Sequence, residues 1–92
     1  MGERRERLDI IKDILEAIRD KGGNIKPTHL LYKSNLSHDS MKKYVSELME
    51  KEMVLENEDM KTKEKKYGIT DKGLKFLSDY KQIKEFTDSF GF

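Results

Sequence analysis

Apolar residues in this chain return at helical spacing in three successive stretches up to Lys51 and again in one long stretch after Thr70, with strand-like runs only between them. In the first stretch Leu8, Ile11, Leu15 and Ile18 form an amphipathic stripe that Ile10 and Ile14 widen, and it predicts a helix from about Arg4 to Asp20. Gly22-Gly23 ends it, because glycine enters the left-handed conformation that closes a helix at little cost. Pro27 presets a helical φ, so residues 28–33 read as one short helix with Leu30 and Leu31 facing inward, and Ser34-Asn35-Leu36-Ser37 reads as a turn. Ser37 suits an N-cap and Asp39 a first turn. Met41, Tyr44, Val45, Leu48 and Met49 then give the buried face of a third helix that ends near Lys51.

Residues 53–56 and 66–69 read as two short strands, and the polar stretch between them as a loose hairpin tip. Thr70 caps a last helix, in which Leu74, Phe76, Leu77, Tyr80, Ile83, Phe86 and Phe90 give a stripe that outlasts the preceding domain. The expected fold is mainly α with a small β-hairpin, in the order α-α-α-β-β-α with an extended C-terminal helix. This is the winged helix-turn-helix arrangement, whose third helix can enter a major groove while the hairpin lies along a phosphate track. Residues 4–73 are expected to form the DNA-binding domain and residues 71–90 a C-terminal dimerisation helix.

Lys26-Pro27-Thr28, Tyr32-Lys33, Asn35-Leu36-Ser37, Lys43-Tyr44, Leu48 and Tyr67-Gly68-Ile69-Thr70-Asp71-Lys72-Gly73 together resemble an archaeal winged-helix family of small transcriptional regulators and chromatin-like proteins, over roughly residues 8 to 80. The resemblance implies duplex DNA binding, and in some members dimerisation through an antiparallel coiled coil of the last helix. One position departs from that pattern: Glu52 stands where the family usually has glycine after the third helix. A left-handed glutamate costs roughly 1 kcal/mol relative to glycine, so a longer helix or a different turn is expected here, with a tilted wing as the consequence.

Charge placement matters more than the total, since 19 basic against 18 acidic residues leave a net charge of +1. Turning the third helix by about 100° per residue puts Asp39, Lys43 and Ser46 opposite its buried stripe, with Ser40 and Lys42 flanking them. Lysines there can reach phosphates or a guanine edge, serines make short contacts, and Asp39 can accept from cytosine N4 or simply stabilise the helix dipole. The hairpin tip concentrates Lys61, Lys63, Lys65 and Lys66 beyond an acidic stem, which suits phosphate contact with strong salt dependence and also suits a solubilising loop. Thr28 and Lys33 of the second helix are further candidate phosphate anchors.

No catalytic reading emerges. Cysteine is absent, which removes disulfides and thiolate chemistry and fits a reducing, cytoplasmic setting. His29 and His38 lack metal-ligand spacing, Asp9 and Asp13 read as part of a charged helix coat, and no glycine-rich phosphate loop exists. No cofactor or small-molecule ligand is expected, and no apolar run approaches the roughly 20 residues that span a bilayer. The first residues, Met1 to Arg7, carry no apolar signal core. The expected partner is double-stranded DNA. A homodimer is expected through Phe76, Tyr80, Ile83, Phe86 and Phe90, which would address a pseudo-palindromic site; in a monomer the same tail would fold back on Leu8 and Ile11. The competing reading is a winged-helix protein–protein interaction module that exposes an apolar patch instead of a positive face.

Overall fold

Helix α1 (Arg7–Asp20) turns Ile11, Ile14, Leu15 and Ile18 inward, the last three with no exposed surface, and so sits at the centre of the packing. The computed structural model describes residues 7–91; the expected helix start at Arg4 and the residues read for targeting lie outside the described residues. The stripe is rotated from the expected one, since Leu8 is 54% exposed and Ile14 takes its place in the core. The backbone closes through Gly22 and Gly23, both at positive φ, where a side chain would be strained.

A two-residue strand, β1 (Asn24–Ile25), follows, which the sequence reading did not include. Two residues are too few to display a period, and the strand is defined by its partner. It pairs antiparallel with β3 (Lys65–Ile69), which also pairs with β2 (Val54–Glu58), giving a three-stranded sheet in the order β1-β3-β2. Above Gly68 the Asn57 amide donates to the Asn24 carboxamide oxygen at 3.0 Å, and a Cβ on Gly68 would meet that oxygen at 2.9 Å. The central strand is thus narrow where the side chains of its two neighbours join hands.

Helices α2 (Pro27–Ser34) and α3 (His38–Glu50) are separated by residues 35–37. Asn35 makes the turn in the left-handed conformation, which asparagine tolerates better than most residues, and Ser37 caps α3 by accepting from the Ser40 N–H at 3.2 Å. Leu30, Met41, Val45, Leu48 and Val54 join the α1 stripe in one core, together with Ile25 and Tyr67. Each fully buried aliphatic side chain contributes about 1.5–3 kcal/mol of transfer free energy, so this core dominates the folded state.

The junction after α3 corrects the expectation at Glu52. The helix is not lengthened: Glu52 adopts φ 62°, its N–H bonds to the Met49 carbonyl, and the Met53 N–H bonds to the Leu48 carbonyl. These two bonds make the Schellman ending that glycine usually serves. Thr70 then ties this turn to helix α4 (Asp71–Ser89). Its hydroxyl donates to the Glu52 carbonyl at 2.7 Å and accepts from the Gly73 N–H at 3.1 Å. A Cβ on Gly73 would lie 2.6 Å from the Met53 carbonyl oxygen, so only glycine lets α4 start this close to β2.

The hairpin tip is ordered, contrary to the loose tip expected. Strand pairing runs out to Glu58 and Lys65, and the Asp59 carboxylate accepts from the N–H groups of Lys61 (2.8 Å) and Thr62 (3.2 Å). Those two donors hold the Asp59 carboxyl below the usual carboxylate range. The Asp59 N–H to Glu64 carbonyl and Lys63 N–H to Asp59 carbonyl bonds complete the turn. Because Glu52 is exposed and pays the left-handed penalty, Glu52→Gly should stabilise the fold by about 1 kcal/mol and raise Tm by roughly 4–8 °C in a thermal melt.

Candidate nucleic-acid interface

Helix α3 and the hairpin meet along a cleft of about 320 Å³. Its helix side is formed by His38, Lys42 and Ser46, spaced one turn apart, and its hairpin side by Glu56 and Lys65, with Met41, Val45 and Tyr67 beneath. Strand alternation explains the hairpin side: Val54 and Glu56 of β2, and Lys65 and Tyr67 of β3, point towards α3. Burial, aided by the Glu56 carboxylate, pushes the Tyr67 hydroxyl's pKa up.

Of the residues singled out in the sequence, this cleft brings together Lys42, Ser46 and Lys65. Lys61 and Lys63 are exposed in the adjoining tip. Asp39 and Lys43 are exposed on the neighbouring stripe of α3, which they share with Glu50, and Ser40 is half-buried with its N–H committed to the Ser37 cap. Lys66 faces the other way. Adjacent strand residues point to opposite faces, so Lys66 lies with its register partner Asn57, and with Asn24, on the far side of the hairpin. Lys33 lines a separate cleft between α1 and α2, with Asp20, Lys21 and His29. Thr28 is exposed in the first turn of α2; the N-cap there is Lys26, and no side chain caps that end.

Neighbouring charges are disposed of pairwise. Lys26 pairs with Glu64 at 3.2 Å, tethering the hairpin tip to the start of α2 and engaging the one carboxylate among the tip lysines 61–66. As an exposed pair it adds at most about 1 kcal/mol, so its effect is positional. Arg7 pairs with Glu47 and lies 5.7 Å over the Tyr44 ring, taking Glu47 out of the exposed face of α3. Lys26, His38 and Glu56 are the participants that the sequence reading left out. Counting in steps of two from buried Val54 would have placed Glu56 on the α3 side, and counting back four from Lys42 would have found His38.

On the opposite side of the molecule, α4 packs against α1 only over its first half. Leu77 is buried, Phe76 stacks on Tyr80 at 6.1 Å between centroids, and the Tyr80 hydroxyl donates to Asp9. Asp9 is therefore half-buried and bonded, and is not part of a solvated coat. That bond pushes the Tyr80 hydroxyl's pKa up. Beyond it Ile83, Phe86 and Phe90 are about 65% exposed, and they do not fold back on Leu8 and Ile11. No helix of the described residues is long and apolar enough to cross a membrane. Among the described residues, no group of three or more histidine and carboxylate side chains converges as a metal site would require.

Comparison with solved structures finds the same architecture repeatedly. The chain is similar to Sso10a-2, a DNA-binding protein from Sulfolobus solfataricus, with a TM-score of 0.78 and 19% identity over 94% of this chain and 85% of that one. It is also similar to Bordetella bronchiseptica BpsR, whose DNA binding is regulated by 6-hydroxynicotinic acid (TM-score 0.73, 13% identity, 99% of this chain and 70% of that one). A third likeness is to MepR, a transcription regulator of a Staphylococcus aureus multidrug efflux pump (TM-score 0.76, 13% identity, 89% of this chain and 61% of that one). No protein of curated function matches the sequence. The winged helix-turn-helix family model matches residues 4–88, and with the helix order, the hairpin and the α3 cleft in place, the chain belongs to that family.

Proposed function

We propose that this protein binds duplex DNA, with the exposed face of α3 in the major groove and the hairpin on flanking phosphates, and that it acts as a transcriptional regulator. The observation that carries this reading is the cleft in which Lys42 and Ser46 of α3 face Lys65 of the hairpin, extended by the exposed lysines of an ordered tip. Lys43 and Asp39 widen the helix surface, and the uncapped first turn of α2 at Thr28 offers backbone donors to a phosphate. Lys33 and Lys66 sit outside this surface and contribute at longer range. The named functions of Sso10a-2 and MepR point the same way.

We further propose a homodimer formed through the exposed second half of α4, within the residues 71–90 expected as the pairing element. Ile83, Phe86 and Phe90 present one apolar edge on an elongated molecule of 51 × 29 × 22 Å, and Phe86 and Phe90 already lie 5.0 Å apart. Phe76 and Tyr80 serve the packing on α1 instead, which narrows the pairing surface to the helix end. A two-fold dimer would present two α3 helices to a pseudo-palindromic site. This placement, without a membrane segment, is consistent with work in the cytoplasm.

Fluorescence anisotropy with a labelled duplex tests the first part. If Lys42, Lys61, Lys63 and Lys65 each neutralise one phosphate, the log–log salt slope should be about −3.6 per protomer, roughly a hundredfold loss between 50 and 200 mM salt. Replacing Lys61, Lys63 and Lys65 by alanine should flatten the slope to about −1. Absence of binding by the unaltered protein at low salt would leave protein–protein capture as the better reading. For the second part, sedimentation at tens of micromolar should give a dimer, and Phe86→Lys a folded monomer; a monomeric unaltered protein would contradict the pairing.

A further inference from the structure

The most exposed large apolar side chain among the described residues is Met60, at 86%, and it stands at the apex of the hairpin. We propose that Met60 is an apolar wedge that enters the DNA minor groove and partly unstacks a base step, so that the protein bends the duplex it binds. The proposal rests on the DNA reading above and deepens it.

Three features of the tip support it. The first is its fixed backbone: Asp59 holds the N–H groups of Lys61 and Thr62, the Lys63 N–H reaches the Asp59 carbonyl at 2.7 Å, and the Glu64 N–H reaches the Thr62 hydroxyl at 3.3 Å. A side chain on so constrained a turn is presented to a partner without the ordering cost of a free loop. The second is charge. Met60 is followed by exposed Lys61 and Lys63, while the carboxylates of the same turn are engaged, Asp59 by backbone donors and Glu64 by Lys26. A thioether chain with ammonium groups beside it on its C-terminal side suits a groove about 6 Å wide with phosphates along its rims. The third is shape, since methionine is unbranched and flexible and is among the residues that proteins insert between base pairs. Insertion is easiest at flexible pyrimidine–purine steps, which would give the protein a sequence preference at a position no polar side chain reads.

The full-length protein can be tested on a short duplex carrying 2-aminopurine at several TA steps, and on the same duplex with donor and acceptor dyes at its ends. Binding should raise the 2-aminopurine fluorescence and shorten the end-to-end distance. Met60→Gln, which leaves every turn hydrogen bond in place, should bind with an unchanged salt slope but about tenfold more weakly, and should lose both signals; Met60→Leu should keep them. Retention of both signals by Met60→Gln, or binding by the unaltered protein with neither signal, would overturn the wedge while leaving DNA binding intact. Failure of the unaltered protein to bind either duplex would overturn the DNA reading and the wedge together.

Discussion

Burial of the Ile11, Ile14, Leu15 and Ile18 stripe of α1 is the constraint on which the rest of the architecture depends. Helices α2 and α4 and strands β1 and β3 all pack on this one helix, and α3 joins them through Met41, Val45 and Leu48. Deleting one such side chain to alanine costs about 2–5 kcal/mol, a large share of the 5–15 kcal/mol that holds a small domain folded. The α3 cleft is positioned from this core outward. Val54 and Tyr67 anchor the base of the hairpin in it, and period-two alternation then carries Glu56 and Lys65 out towards α3.

A second constraint is the junction of residues 52, 70 and 73. The left-handed Glu52, the doubly bonded Thr70 hydroxyl and the side-chain-free Gly73 lock the end of α3, the start of β2 and the start of α4 to one another. The angle between α3 and the hairpin is therefore set by backbone contacts, with little help from surface ion pairs. Those pairs do something different: Lys26–Glu64 and Arg7–Glu47 neutralise two of the carboxylates beside the proposed DNA surface, while Glu56 stays in the cleft itself.

The helices were legible in the sequence because each carries several turns of apolar periodicity and a chemical stop or cap, Gly22-Gly23, Pro27, Ser37 and Thr70 being those that the structure uses. What escaped was non-local. Strand β1 is too short to show a pattern and exists because Tyr67 and Gly68 lie beside it. The left-handed Glu52 is held by tertiary contacts that outweigh its intrinsic preference. The order in the hairpin tip comes from one carboxylate folding onto its own backbone, which composition alone does not reveal. Among the candidate site residues, Lys42, Ser46 and Lys65 meet in the cleft, whereas Lys66, grouped with Lys65 by proximity in the chain, is separated from it by strand alternation, and Lys33, read as a phosphate anchor on the second helix, lies in a different cleft. Counting lysines finds a basic segment, but only the strand register decides which side of it a ligand meets.

The central claim is that one face of this molecule, the α3 cleft with the adjoining hairpin tip, receives duplex DNA. The most direct measurement is an amide-resolved NMR titration of the isotopically labelled protein with a short duplex at low salt. The account predicts that the amides of His38, Lys42, Ser46, Lys61, Lys63 and Lys65 shift or broaden together, while those of Asn24, Asn57, Lys66 and the α1 core stripe stay in place. Perturbations confined to the Asn24–Asn57–Lys66 side or to the end of α4, with the α3 cleft silent, would contradict it.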